Sequence, residues 1–205
     1  MDIDFSEITV SWLDKPQIWS YAETTRAKCW TGTLPVNVEV IAEKVFQIII
    51  IPIPQLKTFV HTEAHLSGSL DEIDYDPTSP SVRIRFSIAH ELGHRVLHPQ
   101  QIKALRPSSY AEWKNTINYL PNAMWGRAEW QAREFAGRLL VPRELLIQEA
   151  RKYQNEIEKA GKQIPDVTTD DITEFLAPRI CNKFDVSDTV IKTRLCHEEI
   201  DLLNF

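Results

Sequence analysis

His90, Glu91 and His94 stand as His-Glu-x-x-His in the stretch RFSIAHELGHRVLHP, Arg85 to Pro99. On an α-helix, residues four apart lie about 40° apart around the axis and about 6 Å along it. Both imidazoles therefore point the same way and can share one metal ion. Glu91, one residue on, flanks that ion instead of binding it. That is where a general base stands to take a proton from a water held by the metal. The motif is short enough for chance to produce it, so its neighbours decide its weight. Ala89, Leu92 and Gly93 are small or apolar, which places the helix inside the protein. Two buried imidazoles on one stripe need partners, and a shared metal is the simplest one.

A metal that keeps a position open for water wants a third protein ligand. His98 follows on the same helix but lies about 12 Å along the axis from His90, too far to reach the same ion. It reads as a structural or supporting residue. A second helix, EWQAREFAGRLLVP, offers a better candidate. At about 100° per residue, Ala132, Phe135, Ala136, Leu139 and Leu140 form one apolar stripe, and Glu129 falls within it. Glu134 falls outside it. A carboxylate on a buried face is costly unless paired or coordinated, and Ala132 and Ala136 allow close approach to the first helix. The expected ligands are His90, His94 and Glu129, with Glu91 as the base.

The elements that position these residues are legible in outline. The first helix is expected to begin near Ser87, a competent N-cap, and to stop at Pro99, which cannot continue it. The second is expected from about Ala128 to Leu140, stopped by Pro142. Upstream, Val38, Ile41, Ala42 and Val45 repeat at helical spacing after Pro35. The run VFQIIIIPIP is about half the length of a membrane-spanning helix and reads as a buried strand. KTFVHTEAHLSGSLDEIDYD suggests two short antiparallel strands. Residues 100–127, rich in aromatics and broken by Pro107 and Pro121, read as a loop-plus-helix insertion. Trp113, Tyr119, Trp125 and Trp130 there are candidates for substrate contact or for packing. The last sixty or so residues read as helical, and FDVSDTVIKTRL resembles a short helix-turn-helix whose acidic neighbours weigh against DNA contact.

Twenty-three basic against twenty-nine acidic residues give a net charge of -6, which provides no general attraction to nucleic acid or anionic lipid. The three cysteines, Cys29, Cys181 and Cys196, have no CxxC spacing and are odd in number; buried reduced thiols are expected. The polar, acidic start MDIDFSEITVSW lacks the pattern of a secretory signal, so a cytoplasmic location is expected.

RFSIAHELGHRVLH followed by EWQAREFAGRLLVPRELL resembles the ImmA/IrrE family of metallopeptidases, whose pattern is an AHELGH helix followed by a Glu-x-x-Ala, Phe-Ala, Leu-Leu-Met-Pro helix. The resemblance runs weakly from about Leu34 to Leu195. It implies an α+β fold with a thermolysin-like, gluzincin-like core, a small antiparallel sheet packed on the HExxH helix and a helical C-terminal part. A single domain over 1–205 is implied, with a core at about 34–145, an insertion at 100–127 and a helical extension at 146–205. The implied activity is a zinc-dependent intracellular endopeptidase of narrow specificity; manganese or iron would suit the same donors. Its implied protein substrate is a helix-turn-helix repressor or an antitoxin-like partner, with no nucleic acid and no membrane involved. The alternatives are a non-proteolytic, metal-containing anti-repressor of the same fold, or a zinc-stabilised structural or DNA-binding protein. One departure stands out: the position four after the glutamate ligand is usually Asn or Asp in that family, and here it is Arg133, which has no acceptor for a ligand imidazole.

Overall fold

The structure, a computed structural model, describes residues 8–105, 109–159, 168–198 and 200. Its N-terminal helix α1 (Lys15–Ala27) begins at a capping box in which Asp14 and Gln17 each satisfy the other's backbone N–H, with Pro16 in the first turn. Asn37 caps α2 (Val38–Phe46) through its side chain. Its apolar residues Val38, Ile41 and Ala42 are buried, as their spacing predicts.

The Ile-rich run forms β1 (Ile49–Pro52), then come α3 (Leu56–Val60), β2 (Ala64–Leu66) and β3 (Glu72–Tyr75). β2 and β3 pair antiparallel, with His65 opposite Asp74. β1 pairs parallel with β3, so the sheet is mixed in the order β1-β3-β2 and not wholly antiparallel. β1 is also not a buried strand: it is an edge strand, and Ile49 stays 64% exposed. Its apolar run is divided between the core, where Ile48 is buried, and the surface.

The helix with the His-Glu-x-x-His motif is α4 (Ser81–Leu97). It starts well before Ser87, because Ile84 extends the apolar stripe of Ile88 upstream and Pro80 is the first residue that halts it. Arg85, inside that added stretch, pairs with Asp185 at 3.0 Å and donates to the Val36 carbonyl at 2.7 Å. At the other end α4 stops at Leu97, and Pro99 opens α5 (Pro99–Leu105).

Next come α6 (Tyr110–Tyr119), α7 (Asn122–Leu140), α8 (Arg143–Lys159), α9 (Thr169–Phe184) and α10 (Asp188–His197). α7 begins at Asn122, earlier than Ala128, and takes in the end of the stretch expected as an insertion. It is the central helix, packed against α1, α4 and α10. Its α4 side is apolar and small: Ala132, Phe135, Ala136 and Leu139 are fully buried. Burying a side chain the size of Phe135 or Leu139 contributes about 2 kcal/mol.

Glu134 and Arg138, off the apolar stripe, are buried too. Arg194 and Arg138 bridge Glu134, Glu198 and Glu23 there, while Trp19 donates to Glu134. α7 thus has two buried faces, one apolar and one ionic. None of the three thiols is paired and none is buried; Cys196 is exposed. Among the described residues, no helix is long and apolar enough to cross a membrane.

Candidate metal centre

α4 and α7 cross in contact at Gly93 and Ala132. That brings His90 and His94, one turn apart on α4, to Glu129 on α7. The two Nε2 atoms are 3.1 Å apart. Glu129 lies between them, with one oxygen 3.3 Å from His90 Nε2 and the other 3.2 Å from His94 Nε2. These three residues each offer one ligand atom, all within 4.8 Å of one another, so they could hold a metal ion. Two imidazoles and a carboxylate are a donor set suited to zinc and its first-row neighbours.

Charge and burial act together at these groups. Burial opposes ionisation of Glu129, yet the imidazoles of His90 and His94 beside it outweigh that and hold the carboxyl below the usual range. Burial, with the charge of Glu129 nearby, pushes Glu91 up to about 7. One Glu91 oxygen accepts from the Leu66 N–H on β2 at 3.1 Å, which ties the carboxylate to the sheet.

A cavity of about 290 Å³ opens at these residues, lined also by His65, Trp113 and Trp125. Trp125 stacks on His94, with ring centroids 5.5 Å apart. Trp113 meets both Trp125 and His65 edge-on. The aromatic cluster therefore divides: Trp113 and Trp125 face the metal residues, whereas Trp130 stacks on Trp12 at 5.2 Å, away from that cavity. The Tyr119 side chain lies outside the described residues.

His65, on β2, is 8% exposed, and neither of its ring nitrogens has a hydrogen-bond partner among the described residues. Asp74 Oδ2 is 4.0 Å from its Nδ1. The Tyr110 hydroxyl donates to that same Asp74 oxygen at 2.6 Å.

His98 does not join the three ligand atoms. It sits behind them, its Nδ1 3.1 Å from His94 Nδ1 and its Nε2 2.8 Å from Gln131 Oε1. Burial, with His94 beside it, lowers His98 to about 4. Arg133 turns outward, two-thirds exposed, 3.8 Å from Glu129 Oε2. Sequence reasoning placed His98 in a supporting role without its partner; Gln131, two residues after Glu129 on a helix with a buried face, was the available signal.

A family model, the IrrE N-terminal-like domain of Peptidase_M78, matches residues 71–195. The match begins after the first helices and two of the three strands, later than the resemblance from Leu34 suggests, and covers α4, α7 and both C-terminal helices. No curated protein matches the chain.

Proposed function

The chain belongs to the Peptidase_M78 family, and on that premise we propose that it is a zinc-dependent endopeptidase of narrow specificity with a thermolysin-like ligand arrangement. Its substrate is a protein inside the cell, a helix-turn-helix repressor or an antitoxin-like partner. The observation that carries this reading is the convergence of His90, His94 and Glu129 in one cavity with Glu91. The unpaired thiols suit a reducing compartment.

When bound, the ion polarises the scissile carbonyl and makes a nearby water more acidic. Glu91 takes that water's proton and later delivers it to the departing amine. Its raised pKa makes it a stronger base than a solvated carboxylate, and the Leu66 N–H fixes one oxygen while the other meets the water. Glu129 and the two imidazoles, once deprotonated, would hold the ion.

A hydrogen-bond donor is also needed for the oxygen of the attacked carbonyl as it gains charge. Tyr110 is engaged with Asp74, and His98 is enclosed behind His94. Among the described residues neither nitrogen of His65 has a hydrogen-bond partner, and His65 lines the cavity, so the role falls to it.

Glu91→Gln tests the reading. Cells expressing the wild type and the variant are compared for new protein N-termini by mass spectrometry. Termini present only with the wild type, from a protein that the variant still binds, support proteolysis. Equal cellular activity without any cleavage would overturn it in favour of a non-proteolytic anti-repressor.

A further inference from the structure

His94 must hold its proton on one particular nitrogen before it can bind a metal, a requirement that rests on the ligand reading of His90, His94 and Glu129 and not on proteolysis. A neutral imidazole can bind through Nε2 only in the tautomer that carries its proton on Nδ1. Which tautomer is present depends on the partner of Nδ1, and here that partner is a second histidine. By itself a histidine decides nothing, since its Nδ1 can donate or accept.

The direction is settled further along. The Ser11 carbonyl is an acceptor only, and Gln131 Nε2 donates to it at 2.9 Å. Gln131 Oε1 is then the atom facing His98 Nε2 at 2.8 Å, and an oxygen there accepts. His98 Nε2 must carry a hydrogen. Neutral His98, 1% exposed, has no second one, so its Nδ1 accepts from His94 Nδ1 at 3.1 Å. His94 Nε2 is left with its lone pair toward His90 and Glu129.

Turning the Gln131 amide over reverses every bond. Its nitrogen would donate to His98, His98 to His94, and the His94 proton would sit on Nε2, where a metal must go. The reversed direction would let His94 Nε2 donate to Glu129 Oε1 at 3.2 Å. Against it stands the Ser11 carbonyl, to which the reversed amide presents oxygen.

We propose that the chain Ser11 carbonyl, Gln131, His98 fixes His94 in its metal-binding tautomer, which makes the N-terminal segment a working part of the metal centre. Gln131 and His98 are positioning residues. The segment is also anchored just before this contact. Gln101 donates to the Thr9 carbonyl at 2.5 Å and Arg127 to the Val10 carbonyl at 2.7 Å, so three successive carbonyls receive side chains from α5 and α7. It lies well outside the residues that match the family. The same relay answers the departure at Arg133, supplying from α4 and Gln131 an orienting acceptor that Arg133 cannot provide.

The test is long-range proton–nitrogen correlation NMR on the full chain with labelled histidine, metal-free, in parallel with zinc titration of the wild type and of Gln131→Met. The expected result is His94 protonated on Nδ1 and His98 on Nε2. Gln131→Met should bind zinc about 10–100-fold more weakly, the usual loss when an outer partner of a ligand is removed. The tautomer spectrum needs no variant and stands even if Gln131→Met does not fold. Two failures are separable. No zinc uptake by the wild type sinks the ligand reading, whereas zinc uptake with His94 protonated on Nε2 in the metal-free chain, or unchanged affinity in a folded Gln131→Met, sinks the relay.

Discussion

Gly93 and Ala132 set the distance between the two helices that carry His90, His94 and Glu129. A methyl group at Gly93 would stand 3.0 Å from the Cα of Ala132 and 3.0 Å from its carbonyl oxygen. Both are backbone atoms, so nothing flexible can yield. His94 is the next residue to Gly93, and Glu129 lies one turn before Ala132. The contact therefore fixes the span across which His94 and Glu129 meet.

Gly93→Ala is expected to destabilise the protein, although Gly→Ala inside a helix usually gains about 1 kcal/mol. The clash costs about 1–3 kcal/mol and pushes the helices apart. A melting temperature a few degrees lower, with weaker zinc binding, is the outcome; a more stable variant with unchanged zinc affinity would show that the crossing tolerates a methyl group.

Elemental mass spectrometry of the purified chain should find about one divalent ion per molecule, lost in His94→Ala and in Glu129→Ala. Zinc at a hundredfold excess over its dissociation constant should stabilise the wild type by about 2.7 kcal/mol and leave both variants unmoved. Stabilisation that persists in either variant would remove that residue from the ligand set.

The ionic face of α7 predicts a defined response to acid. Burial opposes ionisation of Glu134, but Arg194 and the bonds from Trp19, Arg194 and His197 hold its pKa below 4.5. For a carboxyl lowered in the fold, the stabilisation is complete above the unfolded value of 4.5 and is lost as pH falls through the lower folded one. Glu134→Gln leaves Arg194 short of a buried partner and should cost about 3 kcal/mol at pH 7. Denaturant melts at pH 7 and near pH 3 should show the gap between wild type and variant shrinking at the lower pH. A gap of constant size would mean that the charge of Glu134 is not what stabilises this face.

The convergence of His90, His94 and Glu129 was legible because it follows from helical spacing: i and i+4 on α4, and a carboxylate within the apolar stripe of α7. Glu134 and Arg138 were not, since a wheel that sorts apolar from charged residues cannot show that α10 and α1 bring Arg194 and Glu23 to bury them. The sheet was half legible. Alternation fixed β2 and β3, but whether β1 joins parallel or antiparallel depends on the route of the chain through α3. The opening helix α1 went unread although Asp14, Pro16 and Gln17 form a capping signature. That neither nitrogen of His65 finds a partner among the described residues is a property of packing, which no spacing in the sequence reports.

That lack of partners yields the last expectation. A buried imidazole with neither nitrogen bonded among the described residues costs stability, so replacing it should cost little in folding. Asp74 Oδ2, held by Tyr110, stands 4.0 Å from Nδ1, beyond hydrogen-bond reach, so the neutral ring can carry its one proton on Nε2. That N–H donates to the attacked oxygen as it gains charge, with no change in the protonation of the ring. His65→Ala should then cut the rate of cleavage at saturating substrate about 10²–10³-fold, the usual effect of removing one such donor. Zinc content and melting temperature should stay near those of the wild type, and His65→Gln, which keeps an N–H, should recover part of the rate. The appearance of the new N-termini over time in purified mixtures measures it. A His65→Ala chain that cleaves at the wild-type rate would return the role to Tyr110 or to a backbone amide of β2.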